Sequence, residues 1–98
     1  MTFSDTLDEQ RRLALLCLLE ASAAYSANQH LLASALDGLG HRISADRLMA
    51  DLARLAEQGL AGLESLAGVG VATLTQRGLD VATGRARCPG VARPRPGM

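Results

Sequence analysis

Gly40-His41-Arg42-Ile43-Ser44 is the stretch on which the fold turns. It is short, it contains a glycine, and a helical pattern runs into it from each side. Upstream, Leu32, Ala35, Leu36 and Leu39 recur at i, i+3, i+4 and i+7, the spacing of one helix face. Asn28 is placed to cap that helix, and Gly38 or Gly40 to end it in a left-handed conformation. Downstream, Ser44 offers an N-cap oxygen, Leu48, Leu52 and Leu55 form a stripe, and Gly59 stands where a C-terminal glycine belongs. Asp46, Arg47, Ala50, Asp51 and Arg54 are expected to point away from that stripe. Two helices joined by a short connection containing glycine make a helix-turn-helix unit.

Beyond Gly59 the period changes. Residues 60–66 alternate only in part, Ala67-Gly68-Val69-Gly70 is a turn signal, and Val71-Ala72-Thr73-Leu74-Thr75 reads as a strand. These predict a β-hairpin. Thr75 then caps a short helix over 76–83, closed by Gly84. On the N-terminal side, Thr6-Leu7-Asp8-Glu9 has the capping-box spacing, so the first helix is expected to begin near Thr6 and to run to about Ala23. Tyr25 and Ser26 interrupt the pattern as either a very short edge strand or a loop. The expected fold is mainly α with a small β-hairpin: a winged helix-turn-helix domain over residues 1–84. Its third helix is the candidate recognition helix and residues 67–70 the candidate wing tip. Residues 85–98, with three prolines and four arginines, read as a disordered basic tail that folding does not need.

Composition agrees with one small domain of 98 residues. An apolar content of 48% excludes general disorder. There are 18 Leu and 17 Ala, and Phe3 and Tyr25 are the only aromatics, so helix-on-helix packing is favoured over sheet-on-sheet. The net charge of zero is unevenly spread. Residues 1–76 carry five Arg against nine Asp and Glu, whereas residues 77–98 carry five Arg against one Asp. Every basic residue is Arg, which fits either a GC-rich coding genome or planar phosphate contacts. Two cysteines and no leader lead to the expectation of a reducing cytoplasm. The longest apolar run, residues 13–19, is too short for a bilayer, and no membrane contact is expected. Seven consecutive apolar residues cannot share one stripe. The first helix is therefore central to the fold or covered on a second side by another subunit, and a homodimer is expected.

Several stretches together resemble a small protein family of Mu-like prophages. They are Gly40-His41-Arg42-Ile43-Ser44, Asp51-Leu52-Ala53-Arg54-Leu55-Ala56-Glu57-Gln58-Gly59-Leu60, and the segment from Val71 to Ala82. Gly84-Arg85-Ala86-Arg87-Cys88-Pro89-Gly90-Val91 is similar as well. The resemblance covers nearly the whole chain and implies a winged-helix, ArsR-like fold and a phage origin. It implies no catalytic residue and no defined ligand.

The leading functional expectation is a phage-encoded transcriptional regulator that binds double-stranded DNA. Residues near the start of a recognition helix reach base edges. Arg47 or Arg54 is then placed to read guanine, Arg42 and Ser44 to contact phosphate, and Ala50 and Asp51 to lie on the same face. Arg85 and Arg87 of the tail, with Arg93 and Arg95, can supply further phosphate contacts. Against this, residues 41–58 carry as many acids as arginines, and the wing tip has no base. The alternative expectation is a non-catalytic interaction or assembly adaptor that uses the same scaffold for a phage or host protein. No cofactor is expected. His30, His41, Cys17 and Cys88 lack metal-ligand spacing, with Cys17 read as a small hydrophobe and Cys88 as an exposed free thiol. No nucleophile–base set or phosphate loop is present, so an enzyme is not expected.

Overall fold

A computed structural model describes residues 2–95. The first helix, α1 (Phe3–Glu20), starts earlier than the sequence predicts. The Thr2 hydroxyl accepts from the Asp5 backbone N–H and the Asp5 carboxylate accepts from that of Thr2, both at 3.1 Å. This is the capping box, moved one turn upstream of the one expected at Thr6. Thr6 lies inside the helix, its hydroxyl donating to the Thr2 carbonyl. A 3-10 turn, Ala23–Tyr25, follows, and Ala24 and Tyr25 both take positive φ.

That reversal feeds β1 (Ser26–Asn28), so the short edge strand exists. Asn28 caps α2 (Gln29–Gly38) by accepting from the Leu31 N–H at 2.8 Å. Gly40, at φ +92°, turns the chain towards α3 (Ala45–Glu57), which Ser44 caps. The hairpin is β2 (Ala61–Leu66) and β3 (Val69–Leu74). Only Ala67 and Gly68 form its turn, both at positive φ, as a type I′ turn requires. The antiparallel sheet has the order β1-β3-β2, with Ala27 opposite Ala72 and Leu63 opposite the same residue from the other side. The last helix is α4 (Gln76–Ala82), capped by Thr75. Gly78 lets it pack closely, because a Cβ there would collide with the Leu60 carbonyl oxygen.

The described residues form a compact α/β domain of four α-helices and a three-stranded antiparallel sheet. Its element order agrees with a winged-helix layout. Leu15, Leu16 and Leu19 of α1 meet Leu36 of α2, Leu52 and Leu55 of α3, and Ala72 of β3 in one buried cluster.

The C-terminal segment corrects the expectation of a disordered tail over residues 85–98. Residues 85–95 fold back over the domain. Cys88 and Val91 join the core, each 8% exposed. The carbonyls between them are met by distant side chains: Arg12 Nη1 donates to Gly90 O and Gln58 Nε2 to Pro89 O, both at 2.9 Å. The Ala92 N–H donates to Glu9 O at 3.1 Å. Residues 96–98 of the expected tail lie outside the described residues. The two thiols exchange their expected places, since Cys88 is buried and Cys17 is exposed on α1.

Candidate functional site

Of the expected DNA-contacting residues of α3, Arg47, Ala50 and Arg54 are exposed on one side of the helix, and Asp51 is not. At about 100° per residue, the residues of α3 farthest from its buried stripe of Leu48, Leu52 and Leu55 are Asp46, Ala50, Ala53 and Glu57. All four are exposed, and the row they form carries two carboxylates and no base.

Asp51 is a correction. Its expected place is among DNA-facing residues, but it is 3% exposed and lies under α1. Arg11 Nε donates to its Oδ2 at 2.5 Å, and Arg12 Nε to its Oδ1 at 3.3 Å. Arg11 also donates to Asp8 at 2.9 Å. That hydrogen bond holds the Asp8 carboxyl below its usual range, against the effect of desolvation, and the charges of Arg11, Arg47 and Arg12 add to it. Asp51 in turn pushes the Arg11 guanidinium further up. This is a buried ion cluster joining two helices, and a carboxylate held there by two guanidinium groups is out of reach of a base.

The remaining candidates are solvent-accessible. Arg47 and Arg54 flank the acidic stripe on the side nearer α1. Arg54 borders a cleft of about 410 Å³ with Asp5, Asp8, Glu9, Arg12 and Gly90. The Arg54 guanidinium approaches Gly90 so closely that a Cβ there would meet it at 2.9 Å. Arg42 precedes α3 and pairs with Asp37 at 2.9 Å, its side chain 89% exposed. Ser44 spends its oxygen on the Arg47 N–H. Ala50 lies in the acidic stripe, and Arg85 and Arg87 are exposed where the C-terminal segment leaves α4. The end of the hairpin carries Leu66, 56% exposed, and residues 67–70 hold no base.

Sequence reasoning missed Arg11 and Arg12, which organise this region. Their signal is two adjacent arginines inside an apolar helix, which need carboxylate partners if buried. Among the described residues, no three His, Cys, Asp or Glu side chains converge as metal ligands would, and no helix is long and apolar enough to cross a membrane.

No family model matches the chain, and no solved structure matches it. Two proteins are similar to it. An uncharacterized protein of Haemophilus influenzae is 39% identical over 84 residues, 85% of this chain and 81% of that protein. The uncharacterized protein gp26 of Escherichia phage Mu is 47% identical over 93 residues, 95% of this chain and 96% of gp26. Identity at that level along both chains supports a Mu-like phage origin, and the chain belongs to the family of phage Mu gp26.

Proposed function

We propose that this protein is a non-catalytic winged-helix adaptor of a Mu-like phage, and that its partner is a phage or host protein rather than duplex DNA. The observation that carries the reading is the outward row of α3: Asp46, Ala50, Ala53 and Glu57. A helix entering the major groove meets phosphates on both sides, and two carboxylates leading it in are repelled. The uncharged wing tip adds no compensating contact. A protein interface, by contrast, needs no net positive charge, and its polar rim can hold Asp46 and Glu57.

The second reading is the DNA-binding regulator. It is favoured by the open N-terminal end of α3, where Arg42, Ser44 and Arg47 are all exposed, and by Arg85 and Arg87. Titration of a labelled mixed-sequence duplex at several salt concentrations separates the two. The adaptor gives weak binding with a log–log salt slope shallower than about −2, whereas a groove binder making about six contacts gives a slope near −5. A slope as steep as the latter rejects the adaptor.

A further inference from the structure

We propose that the outer face of α1 is a homodimer interface, in which two copies pack their first helices antiparallel along Phe3, Leu7, Gln10, Ala14, Cys17 and the C-cap residue Ala21. These positions are spaced by four and three residues in strict alternation, the coiled-coil period. They lie opposite Leu15, Leu16 and Leu19, which α1 buries in its own domain. Phe3 is 78% and Leu7 42% exposed; Gln10, Cys17 and Ala21 are exposed and Ala14 half-buried. The seam is thus left over after the core is built.

A second copy of this chain is the occupant that fits, because the seam complements itself. A two-fold axis at the level of Arg12 sets Phe3 against the partner's Ala21, Leu7 against the partner's Cys17, and Gln10 against the partner's Ala14. In each pair the larger side chain meets a smaller one. A parallel pairing would set Phe3 on Phe3 and leave a void between the two Ala21. Beside the seam is a groove of about 360 Å³ whose walls include Leu13, Cys17, Ala82 and Pro94. The partner's Leu7 arrives at this groove. Partial desolvation by its neighbours and the charge of Glu20 push the Cys17 thiol up, so that it enters the contact uncharged. The seam is remote from the outward row of α3, and this inference stands whichever ligand that row takes.

Light scattering on the full chain at about 100 μM, with a cysteine cross-link, tests the arrangement. The expected mass is twice 10.2 kDa. Leu7→Glu should halve it and leave the circular dichroism spectrum unchanged, since that side chain lies outside the monomer's core. In Leu7→Cys, oxidised glutathione should link the introduced thiol to the partner's Cys17, being itself reduced to two thiols as each disulfide forms. The added substitution Cys17→Ser should abolish that link. The unsubstituted chain should form none, because the two copies of Cys17 lie about 15 Å apart along the axis. A monomeric mass for the unsubstituted chain overturns the proposal. So does a dimer that survives Leu7→Glu, or a cross-link that survives Cys17→Ser.

Discussion

Arg11 Nε donates to Asp51 Oδ2 at 2.5 Å, binding the first helix to the third across 40 positions of sequence, with both side chains at 6% exposure or less. Removing Asp51 leaves the buried Arg11 with only the more exposed Asp8. Replacing both Arg11 and Asp51 with apolar groups instead removes the most buried charges and leaves Arg12 and Asp8, which reach solvent, without them. Asp51→Ala should therefore lower unfolding free energy by about 3–5 kcal/mol in urea titrations. The double variant Arg11→Met/Asp51→Leu should recover most of that loss. A single-variant loss below about 1 kcal/mol would place the pair in water rather than in the interior.

Asp8 sets an acid limit. Arg11 lowers its carboxyl pKa in the folded state, so protonation favours the unfolded chain. The stability it contributes is complete above the ordinary carboxyl pKa of about 4 and is lost as pH falls through the lower folded value. Thermal melts should show Asp8→Asn less stable than the parent at about pH 7. The gap should close as pH is taken below about 4. A gap that is constant with pH assigns the effect to packing instead.

The docked C-terminal segment makes a claim opposite to the one read from its composition. Deleting residues 85–98 uncovers the core at Cys88 and Val91 and frees Arg12 and Gln58. Burying one Val contributes about 1.5–3 kcal/mol, and about 1 kcal/mol is worth roughly 4–8 °C in a domain of this size. The midpoint should fall by about 10 °C or more. A shift within a degree or two would return the segment to the status of an undocked tail.

The acidic row of α3 can be inverted. Asp46→Arg/Glu57→Arg replaces two exposed carboxylates and should leave thermal stability nearly unchanged. Affinity for mixed-sequence duplex should rise, and the salt slope should steepen by about two. An unaltered slope would mean that α3 does not approach DNA in either form.

Much of the fold is legible in the sequence because its punctuation is local. Asn28, Ser44 and Thr75 each cap the helix expected of them, and each acts within three residues of itself. The start of α1 is misread for the same reason. Thr2/Asp5 and Thr6/Glu9 both carry the box spacing, and local sequence does not rank them. The candidate site is far less legible. Asp51 belongs at once to the arginine side of α3, with Arg47 and Arg54, and to the edge of its leucine stripe. Only the arrival of Arg11 decides which. Residues 88–91 likewise hold just two small apolar side chains. The donors that anchor them come from 31 and 78 positions away, beyond the reach of any pattern.

The contact between Arg12 and Gly90 spans 78 positions, and that separation is also a delay in time. At about 5–20 residues per second, a ribosome adds the later residue roughly 4–16 s after the earlier one. Until the later residue emerges, whatever part of the domain has left the ribosome lacks the segment that covers the underside of α1 and the Gln58 amide. Completion of the domain waits for residues 88–92 to clear the exit tunnel. A nascent chain stalled before that point offers chaperones an unsealed core, while one released beyond it does not.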